Sequence, residues 1–292
     1  MTLKLGIIGG SGIYDLQDLE DKKVIKSENG PFGKPSADIL YGNLHGVEIF
    51  FIPRHGKNHI FTPTNVPYRA NIDILKRLGC NDLLSVSAVG SLKEDLYPGK
   101  FILVDQYIDR SYLRKKTFFD RGIVAHVSMA EPICKLTSEL VFNAAISENI
   151  DIEKNGTYLV MEGPQFSTYA ESKLYRSWDC DVIGMTNMPE AKLAREAEMR
   201  YVPIAMVTDY DCWKESEENV GVEDIVRTLN KNANKAKALI KSFVVEFKKY
   251  RPLYVEGIDN VLDTAIITSN YSKKNLIDSG LDAIASRVIN AS

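Results

Sequence analysis

The chain has 292 residues, with 36 lysines and arginines against 39 aspartates and glutamates, for a formal charge of −3. A hydrophobic share of 45% and a charged share of 26% suit a globular chain with a sizeable core, which excludes a disordered, collagen-like or coiled-coil polymer. The near-neutral balance leaves no basic footprint for nucleic acid, and no apolar run approaches the roughly 20 residues that cross a bilayer.

Along the chain, short apolar runs alternate with helical patterns. Predicted strands are Lys4–Ile8, Val47–Ile52, Leu83–Val86, Phe101–Asp105, Tyr158–Met161, Val182–Met185 and Ile204–Thr208. Most are continuous apolar and β-branched runs, the pattern of strands buried on both faces. Between them, predicted helices cover Val66–Leu78, Leu136–Asn149, Tyr169–Trp178, Glu190–Met199 and Glu223–Tyr250. Ser27–Ala37, rich in glycine, proline and serine, is predicted as a loop. Strands alternating with helices imply an α/β fold with a central mixed, mostly parallel sheet flanked by helices. We expect one domain over residues 1–250. A tail over 251–292 follows, its terminal helix Asn275–Ile289 packed on the same domain.

The four cysteines, Cys80, Cys134, Cys180 and Cys212, are far apart and form no Cys-x-x-Cys pair, so reduced thiols are expected. Met1–Gly12 lacks the pattern of a secretory leader. A cytoplasmic protein is the expectation.

In such folds, ligand sites collect at the carboxyl ends of the strands, and the unusual clusters of this sequence lie there. Gly9-Gly10-Ser11-Gly12 can turn sharply and present N–H groups and a hydroxyl to an anion; a plain tight turn is the alternative. Pro53-Arg54-His55-Gly56 offers a guanidinium fork and an imidazole for phosphate oxygens, or a surface ion pair and a satisfied histidine. Ser87-Ala88-Val89-Gly90-Ser91 permits close backbone approach, or tight packing. In Met161-Glu162-Gly163-Pro164-Gln165-Phe166-Ser167 the ring of Phe166 can stack on a flat base, or serve as core. Thr186, in Gly184-Met185-Thr186-Asn187-Met188-Pro189-Glu190, stands ahead of a helix amino end where anions bind, and Asn187 is a candidate cap.

Thr208-Asp209-Tyr210-Asp211-Cys212-Trp213 follows a strongly apolar strand. Two carboxylates at this spacing can converge on one ligand edge, accepting from an amine or, when protonated, donating to a ring nitrogen. A metal is the rival occupant, but no histidine or third acid lies nearby in sequence. No G-x-S-x-G elbow of a serine hydrolase is present.

Together and in this order, Gly-Gly-Ser-Gly, Pro-Arg-His-Gly, Ser-Val-Ser-Ala-Val-Gly-Ser-Leu, Glu-Gly-Pro-Gln-Phe-Ser, Met-Thr-Asn-Met-Pro-Glu and Thr-Asp-Tyr-Asp-Cys-Trp resemble the 5′-methylthioadenosine phosphorylase branch of the purine nucleoside phosphorylase family, over roughly residues 4–245. The resemblance implies the nucleoside phosphorylase fold and the displacement of adenine from methylthioadenosine by phosphate, a step of purine and methionine salvage. It implies no metal or organic cofactor, with inorganic phosphate as co-substrate, and a homotrimer or a hexamer built as a dimer of trimers. By motif, Ser11, Arg54, His55, Ser87, Ala88 and Thr186 would hold phosphate. Phe166, Met185, Asp209, Tyr210 and Asp211 would meet the nucleoside, with Asp209 as the catalytic acid at N7. His126 resembles a residue lent by a neighbouring subunit, and Ser167 and Val222 match positions that tune substrate choice.

Asp211 suits a 6-amino group and would repel a 6-oxo group, and relatives that cleave inosine usually carry asparagine at the position of Asp209. A 6-oxopurine or broad-specificity phosphorylase and a non-catalytic nucleoside-binding protein are the rival readings. Ser11 and Ser87 stand where many relatives have threonine, and Gln165 and Tyr169 where arginine is common.

Overall fold

The computed structural model of the chain describes residues 2–10, 13, 16, 18–214 and 222–291. Strand β1 (Lys4–Gly9) is buried along nearly its whole length. It pairs in parallel with β4 (Val47–Pro53) on one side and β5 (Asp82–Ser91) on the other. Central strands of this kind read as unbroken apolar runs, because helices cover both faces.

Two further strands, β2 (Glu20–Ile25) and β3 (Ile39–Leu44), extend this edge in antiparallel fashion beyond β4. Neither is predicted from the sequence. β2 reads Glu-Asp-Lys-Lys-Val-Ile and is almost fully exposed, and charge on an outermost strand discourages further pairing.

On the other side lie β6 (Phe101–Arg110), β7 (Ile152–Met161), β8 (Val182–Gly184) and β9 (Arg200–Tyr210). The sheet order is β2-β3-β4-β1-β5-β8-β7-β6-β9, and β9 also pairs with β5. Five strands therefore close on themselves. The sheet is mixed as expected: β5–β9, β6–β7 and β7–β8 are parallel, whereas β5–β8 and β6–β9 are antiparallel.

Helices α1 (Tyr68–Arg77) and α4 (Asn187–Glu196) bury Ile72, Leu75, Ala191, Leu193 and Ala194 in one core. Helices α2 (Lys135–Ser147) and α5 (Val222–Tyr250) bury Leu140, Val141, Leu239, Ile240, Phe243 and Phe247 in a second. A smaller third core, with Leu92, Leu159 and Tyr175, gathers around α3 (Tyr169–Ser177). The chain after α5 packs against both large cores, through Ile258 in one and Leu262, Leu276, Leu281 and Ile284 in the other.

The single terminal helix predicted over Asn275–Ile289 is instead two pieces, α7 (Lys273–Asp278) and α8 (Ser286–Ala291), preceded by the short α6 (Leu262–Ala265). Gly280, at φ +80°, lies in the break between them. That left-handed conformation suits glycine and ends a helix. Cys80, Cys134 and Cys180 are buried free thiols, and Cys212 is an exposed one.

Candidate active site

A cavity of about 340 Å³ opens at the strand ends predicted to hold ligand. Of the expected site residues, Arg54, His55, Ser87, Ala88, Phe166, Met185, Thr186, Asp209 and Asp211 line it.

Arg54 follows β4 and is about 1% exposed. Its Nε donates to Glu190 Oε2 at 2.8 Å, and its Nη2 to Glu190 Oε1 at 3.1 Å and to Ser85 Oγ at 2.7 Å. Nη1 donates to the Val86 carbonyl at 3.1 Å. Among the described residues the second Nη1 hydrogen has no acceptor. Burial alone would lower the Arg54 pKa, but the Glu190 carboxylate holds it above the ordinary arginine value. A methyl group on Gly10 would come within 2.9 Å of Arg54 Nη1 and 2.7 Å of the Val86 carbonyl oxygen. Close approach therefore requires glycine there. Ser11 lies outside the described residues.

Beside Arg54, His55 accepts no proton near neutral pH: burial, and then the Arg54 charge, lower its pKa to about 4. Its Nδ1 lies 2.9 Å from the Phe61 carbonyl oxygen. A carbonyl can only accept, so Nδ1 carries the ring hydrogen and Nε2 is left as an acceptor. His55 therefore presents an acceptor at Nε2, not the simple donor expected from the sequence. His59 stacks on it with ring centroids 4.0 Å apart.

The strand predicted to end at Val86 runs on through the small-residue cluster. β5 continues through Ser91, and Ser87 is buried in it. Among the described residues Ser87 Oγ has no hydrogen-bond partner. Thr186 precedes α4, and its side chain caps nothing in the helix. Asn187 does not cap either; its Nδ2 donates to Ser85 Oγ at 3.4 Å.

Arg114 anchors this wall from behind, donating from Nη1 to the carbonyls of Met185 and Met188 at 2.5 and 2.6 Å, and from Nη2 to that of Glu162 at 2.7 Å. Its Nε donates to Glu162 Oε1 at 3.0 Å. Burial would raise the Glu162 pKa. Donors from Thr64, the Tyr112 and Leu113 N–H groups and Arg114 lower it instead, to about 2.

The acid pair sits where β9 is bulged against β5. Val89 pairs with Val207 and Gly90 with Asp209, so Thr208 is the extra residue, and a bulge of this kind re-aims side chains. Thr208 Oγ1 donates to Val89 O at 3.2 Å or to Asp209 Oδ1 at 2.6 Å. Burial raises the Asp209 pKa to about 6, against the lowering effect of the Thr208 hydroxyl and with a further push from Asp211. Asp211 is buried, and its Oδ2 has no hydrogen-bond partner among the described residues.

One expectation is corrected, that for Tyr210. Tyr210 does not line the cavity: strand alternation sends it to the opposite face from Asp209 and Asp211, where its hydroxyl donates to Glu94 O at 2.9 Å. Phe166 is at the cavity wall but 79% exposed, so the core alternative is excluded. Ser167 lies behind the wall, its hydroxyl 3.9 Å from the sulfur of Met161. His126 is exposed and not at the cavity, its N–H donating to Ala265 O at 2.8 Å. Val222 opens α5, and its side chain lies outside the described residues.

Glu190, Ser85, Arg114 and His59 carry no role in the sequence reading. Two of them had a signal: Glu190 stands in the Met-Thr-Asn-Met-Pro-Glu motif and Ser85 opens Ser-Val-Ser-Ala-Val-Gly-Ser-Leu. The cavity thus pairs an anion cradle around Arg54, Ser87 and Thr186 with an acid edge at Asp209 and Asp211. Ser87 and Gly90 are three residues apart on β5, about 10 Å.

Residues 4–245 match the family model of the phosphorylase superfamily. The S-methyl-5′-thioadenosine phosphorylase of Cereibacter sphaeroides is 51% identical over 289 residues, covering 99% of both chains. Among solved structures, a methylthioadenosine phosphorylase from an antarctic soil metagenomic library superposes with a TM-score of 0.90 at 43% identity, over 97% of this chain and 99% of that one. The methylthioadenosine phosphorylase of Schistosoma mansoni in complex with adenine gives 0.84 at 34% identity, over 91% and 99%. The chain belongs to the phosphorylase superfamily, in its methylthioadenosine phosphorylase branch.

Proposed function

We propose that the chain catalyses the phosphorolysis of S-methyl-5′-thioadenosine to adenine and 5-methylthioribose 1-phosphate. The observation that carries this reading is one cavity with two orphaned buried polar atoms, Ser87 Oγ in the anion cradle and Asp211 Oδ2 at the acid edge. Buried polar groups without partners are costly, and phosphate at one end with an adenine amine at the other would satisfy both.

In the reaction the C1′–N9 bond breaks, and its electron pair goes to the purine. A phosphate oxygen forms the new bond to C1′. Arg54, His55, Ser87, the Ala88 backbone and Thr186 hold the phosphate, with Ser11 added by motif. Met185 lies against the ribose and Phe166 closes over the base from the cavity mouth. Asp209 delivers a proton to N7; a carboxyl whose pKa is raised to about 6 retains that proton nearer neutrality than an ordinary aspartate. Asp211 accepts from the 6-amino group. Phosphate serves as co-substrate, and no metal or organic cofactor takes part.

The finer parts of the reading are a cytoplasmic location, a place in purine and methionine salvage and a homotrimer in which His126 completes a neighbour's 5′ pocket. Ser167 and Val222 tune substrate choice. Exposed Tyr112, Leu113 and Phe166 support such an assembly. The first two give their N–H groups to Glu162, close in sequence to the cavity wall, so apolar surface lies near the mouth.

Base release from methylthioadenosine, adenosine and inosine, each with and without phosphate, tests the reading. Phosphate-dependent adenine release, fastest from methylthioadenosine, is expected. Preference for inosine would overturn the role given to Asp211, and the absence of any turnover would overturn the activity.

A further inference from the structure

Tyr158, on β7, is fully buried, and its hydroxyl makes no hydrogen bond among the described residues. The polar groups that it neighbours are the hydroxyls of Ser87 and Thr186 and the Thr186 N–H. A Cβ on Gly184 would fall 2.0 Å from the Tyr158 oxygen. Only glycine at 184 lets the phenol reach this position, and Gly184 leads directly into Met185 and Thr186.

We propose that Tyr158 is a positioning residue for phosphate, acting through Ser87 and Thr186. The inference rests on the phosphorolysis reading for its purpose, not for its geometry. A hydroxyl has one proton and two acceptor lone pairs. Once Ser87 or Thr186 turns its proton to a phosphate oxygen, a lone pair is free behind it, and the Tyr158 O–H can donate there. That second hydrogen bond polarises the first and fixes the direction in which the small hydroxyl points. Among the described residues the Tyr158 O–H is unpartnered. The unmet hydrogen bond is thus held in reserve until the anion arrives.

The test is Tyr158→Phe, which removes one oxygen and leaves the ring. We expect the Kd of inorganic phosphate for the nucleoside-free protein, measured by calorimetry, to rise roughly 5- to 10-fold. The phosphate KM should rise similarly, while the methylthioadenosine KM stays unchanged. The Tm without phosphate should hold or rise, because a buried unpaired hydroxyl is lost. Gly184→Ala, which displaces the phenol, should reproduce the phosphate defect. Unchanged phosphate affinity in Tyr158→Phe would overturn the proposal, as would a lowered Tm with equal losses for both substrates. The calorimetric result stands apart from turnover: wild-type protein that binds phosphate but cleaves no nucleoside would refute the phosphorolysis reading and leave this inference to its own comparison.

Discussion

Glu190 holds Arg54 through both carboxylate oxygens, at 2.8 and 3.1 Å, with each side chain about 1% exposed. The same Oε1 accepts from Ser85 Oγ at 2.5 Å and Tyr201 Oη at 2.9 Å. The cation at the cavity wall is thus clamped by an anion that does not line the cavity. The clamp fixes the direction of the Nη1 hydrogen that has no acceptor among the described residues.

Glu190→Gln removes the charge and turns an amide N–H toward the guanidinium. Breaking a buried pair by neutralising one partner leaves an uncompensated charge, at a cost of about 3–5 kcal/mol. We expect a loss of that order in denaturant unfolding, together with a raised phosphate KM. A gain in phosphate affinity at unchanged stability would mean that Glu190 serves to moderate the site's charge instead of holding its geometry.

The protonated form of Asp209 is the one that donates, and its pKa is raised to about 6. The acid is therefore abundant below about pH 6 and declines as pH rises through that value. At saturating phosphate, kcat/KM for methylthioadenosine should fall on the alkaline side, about tenfold per pH unit well above the pKa. Asp209→Asn has no proton to titrate, so it should lose roughly 10²–10⁴ in kcat and also lose this limb. A variant that kept both the rate and the limb would remove Asp209 from the chemistry.

Half of this site was legible because polar and glycine residues interrupt strands that are otherwise apolar. Arg54, Ser87, Asp209 and Asp211 each stand where a buried run ends or bulges. Glu190 and Arg114 were not legible as partners, since a glutamate in a helix and an arginine beside Lys115 and Lys116 read as solvated surface. Their burial depends on groups 136 residues away for Glu190 and 48 residues away for Arg114. Strand β2 escaped for a related reason: its partners come from one side only, so its exposed charges show no apolar period. Tyr210 was placed by its motif where strand alternation already pointed it away.

Asp211 is predicted to set base choice. Its buried carboxylate can accept from an exocyclic amine but meets a 6-oxo group with repulsion. Asp211→Asn supplies a donor in the same space. Release of adenine from methylthioadenosine should fall roughly 10- to 100-fold, as expected when a buried polar contact is lost, while the inosine-to-methylthioadenosine ratio rises. Parallel kcat/KM measurements decide the matter, and an unchanged ratio would assign base choice to another residue.

Away from the site, Glu196 accepts from Thr117 Oγ at 2.6 Å and from the Phe118 N–H at 2.7 Å. Burial raises its pKa to about 7, against those two donors and with a further push from Asp120. The folded chain therefore holds a proton here that the unfolded chain releases near its ordinary value of 4.5. The associated stability is present in full below that value and is lost as pH rises through about 7. Glu196→Gln imitates the protonated acid, donating to Thr117 Oγ and accepting from the Phe118 N–H, but cannot ionise. Thermal unfolding of the two proteins should coincide near pH 4.5. At pH 8 the variant should be more stable by about 1–3 kcal/mol, a shift of roughly a few degrees. Equal Tm values at pH 8 would show that the carboxylate is accommodated in the fold without the strain that its burial implies.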